Sequence, residues 1–288
     1  MTRPPVSLAG ILDLERAGPS TFRRPGRPGP SRRMFGGEAV GQAIMAAGHT
    51  VPADRPVVSA QAHFLLPGDA AKPIDFHVEH IRDGGTFSTR RIEAVQDGRV
   101  IFLLAATCQS VEEGLAHQPA APVVPPPEDL PPPEELFAGD ADSLTWIRAL
   151  TGRNPIDCRF AGSPPRTRGA RGRPAEPRQR VWMRVPEPLP DSPLVHRATL
   201  GYLSDLFLLA TGVAPYGRTL QDADVKFGSI DHAVWLHAQP DVGSWLLYDQ
   251  TAVWIGQGRA LCRGSFFDRS GLLVATTTQQ ALMRVVGT

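Results

Sequence analysis

The sequence is poor in cysteine. Its 288 residues hold three, Cys108, Cys158 and Cys262, and no two are spaced as a zinc ribbon or a redox pair. So sparse and odd a set argues against a disulfide framework and fits a reducing compartment. An excess of positive charge is also missing: 30 basic side chains face 29 acidic ones, a formal net charge of +1. A chain that binds phosphate backbones is ordinarily far more basic, so nucleic acid is not an expected partner. No strongly apolar run reaches the ~18 residues of a membrane span. The start, Met1-Thr2-Arg3-Pro4-Pro5, has no apolar signal-peptide core, and the end, Val285-Val286-Gly287-Thr288, is no peroxisomal address. Cytoplasm is the expected location.

Several chemical signatures are absent too. There is no Gly-x-Ser-x-Gly elbow, no phosphate loop ending in Gly-Lys-Ser/Thr, and no dinucleotide fingerprint after a strand. The eight histidines show no metal spacing. His77 and His80 are three apart in a strand and face opposite sides, and His232 and His237, five apart, diverge likewise. Neither a metal nor a cofactor is expected. Cys108 and Cys262 lie in apolar, strand-like runs, where a buried and inert thiol is the expected role.

What is present is the composition of a globular protein with a real core, 42% hydrophobic and 20% charged. Proline divides the chain. Residues 118–139 contain Pro125-Pro126-Pro127 and Pro131-Pro132-Pro133, which no helix or central strand tolerates. The expected division is a loosely ordered lead-in over 1–31, a first folded unit over 32–117, a Pro/Arg-rich connector over 118–180, and a second unit over 181–288. Six arginines of the connector (Arg166, Arg168, Arg171, Arg173, Arg178, Arg180) read either as an anion trap or as a solvated loop.

The two units resemble each other. Each opens with a helix-like segment that is apolar nearly all round, Glu38 to Gly48 and Leu194 to Gly212. Such helices must be buried. Strand-like segments follow, over 57–66, 73–82, 87–96 and 99–110 in the first unit, and over 229–237, 245–254, 259–268 and 272–284 in the second. Asp97-Gly98 and Ser270-Gly271 mark hairpin turns between the last two strands of each unit. A shift of 173 (258 minus 85) overlays Gly85, Arg90 and Gly98 on Gly258, Arg263 and Gly271. A shift of 164 (201 minus 37) overlays the helices. One helix and an antiparallel meander, twice over, is an α+β architecture. In the second helix Ser192 is placed to cap, Pro193 to start and Gly212 to end it.

Asp205 lies within Gly-Tyr-Leu-Ser-Asp-Leu-Phe-Leu-Leu-Ala. A charge on a buried apolar helix is costly unless paired, so it reads as a working carboxylate, or else as part of a polar stripe with Arg197 or Ser204. The overlaid position in the first helix is Gly41, which implies one site per chain. Gln279 sits where Thr and Gln alternate into apolar positions, as a buried, partnered amide or on a solvent-facing edge. Ser229, Asp231 and His232 stand at the start of a strand, where turn chemistry alone would explain them.

Five segments in order carry a resemblance: Met34 to Ala43 (MFGGEAVGQA), Phe64 to Asp69 (FLLPGD), Arg82 to Arg91 (RDGGTFSTRR), Ser229 to His237 (SIDHAVWLH), and the Gln279 segment. Together they are similar to the acyl-CoA thioesterase II family, over about residues 32–284. That resemblance implies a double hotdog, two helix-in-sheet units fused in one chain. It implies hydrolysis of fatty acyl-CoA to free fatty acid and CoA by an oriented water. The sheet edges and apolar surfaces of such a fold tend to be covered, so a homodimer or higher homo-oligomer is expected. The family's Asp, Thr and Gln fall on Asp205, Ser229 and Gln279, so Ser229 departs from Thr by one methyl. Two other readings stay open. One is a non-catalytic acyl-CoA or lipid-binding hotdog protein. The other is a hotdog enoyl-CoA hydratase or dehydratase, for which the nearest histidine on the helix, His196, would be about 13.5 Å from Asp205 along the axis at 1.5 Å per residue.

Overall fold

The alanine-rich run in the first unit forms a helix with ten buried residues and so has to be wrapped by sheet. The computed structural model describes residues 7–27 and 32–286; the terminal residues 1–5 and 287–288 read above for targeting lie outside the described residues. The chain opens with helix α1 (Leu8–Leu12), strands β1 (Glu15–Gly18) and β2 (Thr21–Arg24), and helix α2 (Gly36–Gly48). The first meander is β3 (Val57–Phe64), β4 (Ile74–Asp83), β5 (Phe87–Gln96) and β6 (Arg99–Gln109). Then come α3 (Pro133–Leu136), α4 (Ala141–Arg153), β7 (Asp157–Phe160), α5 (Pro165–Gly169) and β8 (Arg178–Arg184). The second unit adds α6 (Pro193–Leu203), α7 (Ala210–Val213), β9 (Val225–Leu236), β10 (Leu246–Gly256), β11 (Arg259–Phe267) and β12 (Leu273–Val285).

The twelve strands among the described residues join one sheet in the order β1-β2-β4-β5-β6-β3-β9-β12-β11-β10-β8-β7. The order β4-β5-β6-β3 is mirrored by β9-β12-β11-β10, and the two meanders meet where β3 pairs antiparallel with β9. This is the α+β double-hotdog arrangement expected from the repeat. The register makes the duplication explicit. Gln61 pairs with Ala233, flanked by Ala60 with Val234 and Ala62 with His232, so a local two-fold passes through the Gln61–Ala233 pair. Both β3 and β9 carry a bulge, between Val57 and Ser59 against β6 and between Ser229 and Asp231 against β12. Ser229 is thereby the counterpart of Val57, and Gln279, opposite His232, is the counterpart of Ala106, opposite Ala60.

Helices α2 and α6 pack directly on each other inside the sheet. A Cβ on Gly37 would stand 2.3 Å from Tyr202 O, and one on Gly41 would stand 2.8 Å from Ala198 O. Glycine is required there because backbone meets backbone. At the β5–β6 hairpin, Asp97 (φ 50°) and Gly98 (φ 72°) adopt the left-handed pair of a two-residue turn, as their sequence implies.

Three expectations need correction. The lead-in is more built than its Pro, Arg and Gly content suggests: Leu8, Leu12 and Phe22 are core residues, and Arg24, 1% exposed, pairs with Glu38 of α2 at 3.0 Å. The connector is likewise threaded into the fold. Phe137, Trp146, Phe160 and Phe207 form an edge-to-face ring cluster, and Arg166 lies 4.4 Å from the Trp146 ring. Arg178 and Arg180 both pair with Asp249, so half of the arginine run is used structurally. Third, the helix expected to run from Leu194 to Gly212 breaks after Leu203 and resumes as α7. Ser192 makes no side-chain capping bond, and Gly212 is a packing residue against Met283 rather than a left-handed stop. Its apolar pattern continues through the break, which is why the sequence reads as one helix.

Candidate active site

The break in the second helix creates the site. Ser204 Oγ lies 2.7 Å from Gly201 O in the last turn of α6. Beyond it, carbonyls that a helix would use are taken by side chains from the sheet. Tyr248 Oη donates to Ser204 O (2.6 Å), Gln250 Nε2 to Leu206 O (2.8 Å) and Gln179 Nε2 to Phe207 O (2.7 Å). Phe207 is left-handed at φ 66°, a conformation costing about 1–3 kcal/mol for such a residue. Its ring packs on Phe160 and Trp146, which offsets that cost. Asp205 sits inside this cradle, two residues before Phe207.

Three residues singled out in the sequence converge here. Gln279 Nε2 donates to Asp205 Oδ1 at 2.6 Å and to Ser229 Oγ at 2.8 Å. The other carboxylate oxygen, Asp205 Oδ2, accepts the backbone N–H of Gly37 at 2.9 Å. That N–H is one of the free donors in the first turn of α2, where a negative group is favoured. The carboxylate therefore joins the two units: the second supplies the acid and the amide, and the first supplies a helix start. Gln279 is fully buried, whereas Asp205 and Ser229 are partly exposed.

The geometry settles two readings the sequence left open. Asp205 is not part of a stripe with Arg197, whose guanidinium bonds Gln239 and Val57 O instead. Gln279 is on a central strand, not an edge. The first unit has no matching triad, because Val57, Ala106 and, by the helix overlay, Gly41 occupy the counterpart positions.

His232, which turn chemistry alone would explain in the sequence, lies in mid-strand, 1% exposed, directly opposite Gln279. Its Nε2 lies 2.7 Å from Ser204 Oγ. Burial holds the imidazole below its usual pKa, against the pull of the Asp205 charge. The bulge at Ile230 turns this part of β9 and was not visible in the residue pattern. The three thiols are buried, and burial pushes Cys108 and Cys262 up to about 11, as inert cysteines require. Among the described residues no group of three His, Cys, Asp or Glu side chains converges as a metal site, and no helix is long and apolar enough to cross a membrane.

Residues 24–109 match the family described as acyl-CoA thioesterase N-terminal domain, and residues 125–283 match the acyl-CoA thioesterase C-terminal domain. Acyl-coenzyme A thioesterase 8 of Mus musculus is 32% identical over 292 residues, covering 97% of this chain and 89% of the relative. The crystal structure of an acyl-CoA thioesterase II from Mycobacterium marinum superposes with a TM-score of 0.79 at 35% identity, covering 98% of this chain and 99% of that one. A conserved protein of unknown function with a hot dog fold, from Alicyclobacillus acidocaldarius, superposes with a TM-score of 0.77 at 21% identity over 99% of both chains, which speaks to the fold alone. Two domain matches in chain order and a relative of this identity over nearly the full length place the chain in the acyl-CoA thioesterase family.

Proposed function

We propose that the chain hydrolyses fatty acyl-CoA to free fatty acid and CoA by direct attack of a water held at Asp205 and Ser229. The observation that carries this reading is the Gln279 amide bridging Asp205 Oδ1 and Ser229 Oγ. With both N–H groups so engaged, Gln279 sets the spacing of the two oxygens that flank the water. Asp205 takes a proton from the water as its oxygen bonds to the thioester carbonyl carbon. The tetrahedral intermediate then collapses, the C–S bond breaks, and the CoA thiolate leaves and is protonated. A thioester needs no Lewis acid for this, and positioning with a general base supplies the rate. The second unit, 181–288, carries the chemistry, with α2 of the first unit completing it.

The test is thiol release from a long-chain acyl-CoA. A lipid-binding hotdog would bind the ester without releasing thiol, and a hydratase would consume an enoyl-CoA without releasing it. Gln279→Ala is expected to lower kcat about tenfold, the loss of hydrogen bonds worth about 1–2 kcal/mol. Ser229→Ala is expected to act likewise, while Ser229→Thr keeps the hydroxyl, fixes its rotamer and holds or raises kcat. A Ser229→Thr enzyme as slow as Ser229→Ala would remove the hydroxyl from the account.

Hydrolysis is also expected to be indifferent to EDTA, since the proposed machinery contains no metal-ligand cluster. Activity lost in chelator and restored by a divalent metal would contradict that. The working unit we propose is a cytoplasmic homodimer or higher homo-oligomer. Phe227 and Trp235 of β9 and Val253 and Trp254 of β10 stand exposed on the sheet, and a second copy would cover them. Light scattering at micromolar concentration is expected to give at least twice the chain mass; 31.1 kDa would exclude the assembly.

A further inference from the structure

Two buried acceptor-capable atoms beside the site have no hydrogen-bond partner: Gln279 Oε1 and His232 Nδ1. They belong to residues directly opposite each other across β9 and β12. The other end of each group is fixed. The Gln279 amide nitrogen is committed to Asp205 and Ser229, and a flip would press Oε1 against the Asp205 carboxylate. The imidazole Nε2 is committed to Ser204 Oγ.

Counting protons decides how the orphans are satisfied. Ser204 Oγ is 2.7 Å from both Gly201 O and His232 Nε2, and it has one proton to give. If His232 carries its proton on Nε2, Ser204 donates to Gly201 O. Nδ1 and the Gln279 carbonyl are then two bare acceptors, buried on residues opposite each other and each without a donor. If the proton is on Nδ1, it is available to Gln279 Oε1, Ser204 donates to Nε2, and only the Ser204–Gly201 bond is given up. The Gln279 amide favours a proton on the ring, while burial disfavours the doubly protonated form.

We propose that His232 is a positioning residue whose proton resides on Nδ1 and whose Nδ1–H holds Gln279 Oε1. In this role the histidine touches neither water nor thioester. It locks the amide from behind, so that both N–H groups stay on Asp205 and Ser229 when substrate enters. The inference deepens the reading of Gln279 given above and rests on it for its effect on rate.

The direct test is nitrogen NMR of the histidine-labelled wild-type chain near neutral pH, which distinguishes a protonated from a bare ring nitrogen. The expected spectrum has His232 Nδ1 protonated and Nε2 bare. A bare Nδ1, or a ring protonated at both nitrogens, overturns the proposal. A pair of variants reads the consequence. His232→Asn keeps an N–H donor near the Nδ1 position, and His232→Gln moves it toward the Nε2 position. With melting temperatures alike, His232→Asn is expected within about threefold of wild-type kcat and His232→Gln lower by about tenfold or more, with KM unchanged, the difference of one hydrogen bond. Equal kcat in the two variants, or the reverse order, also overturns it. A wild type that releases no thiol would defeat the function proposed above and leave the NMR outcome to judge the tautomer alone.

Discussion

Asp205→Asn is expected to lower kcat by about 10²–10⁴-fold, the range contributed by a positioned general base. The substitution keeps size and shape but removes the proton acceptor. It also sets donor against donor. The Asn oxygen can keep the Gly37 N–H, and its amide nitrogen then faces Gln279 Nε2, which now stands 2.6 Å from the carboxylate. Gln279 would have to flip, and its bond to Ser229 Oγ would reverse or break. The water therefore loses both its base and the fixed spacing of its two holders. Folding is expected to survive, since a charge is exchanged for an amide of equal volume. The melting temperature is expected to stay within about 2 °C, equivalent to about 1 kcal/mol in a chain of this size. A kcat within about threefold of wild type, less than 1 kcal/mol in the barrier, would remove Asp205 from the mechanism.

Gly37→Ala is expected to cost both stability and rate. The new methyl would stand 2.3 Å from Tyr202 O and 2.5 Å from Phe35 Cε1. The Tyr202 carbonyl belongs to helix backbone and cannot swing aside, so α2 and α6 must separate, at about 1–3 kcal/mol for an overpacked contact. Separation draws the Gly37 N–H away from Asp205 Oδ2. A hydrogen bond to a charged group contributes about 1.5–3 kcal/mol, so kcat is expected to fall by about 10–10²-fold. Gly85→Ala is the control, because a Cβ there meets nothing within 4 Å. Calorimetry and steady-state kinetics on both variants check the pair. A Gly37→Ala protein with unchanged melting and turnover would show that the helix contact does not position the carboxylate.

Much of this arrangement is legible in the residues because it rests on local chemistry. The paired meanders follow from alternating burial and from turn residues such as Asp97-Gly98, and both observed strand sets lie within a few residues of their expected limits. The buried helices follow from apolar residues on every face. Asp205 stands out because a charge interrupts that pattern. What the residues hide is tertiary. The helix break after Leu203 has no Gly or Pro to announce it, since it is imposed from outside by Tyr248, Gln250 and Gln179, far away in sequence. The ring cluster that holds Phe207 comes from a segment whose prolines advertise only a connector. His232 looks like any polar residue near a strand start until the ladder places it opposite Gln279. The role of Gly37 as donor to Asp205 depends on how α2 meets α6. In each case the deciding contact joins residues separated by dozens of positions, which no local pattern records.

The measurement that bears most directly on the central claim is a single turnover in heavy-oxygen water, with enzyme in excess over a long-chain acyl-CoA, quenched and read by mass spectrometry. Direct attack by a water at Asp205 and Ser229 predicts free fatty acid carrying one heavy oxygen, with the enzyme's own mass unchanged at every time point. Intact acyl-CoA, an acyl adduct on Ser229, or heavy oxygen left in the Asp205 carboxylate would contradict it.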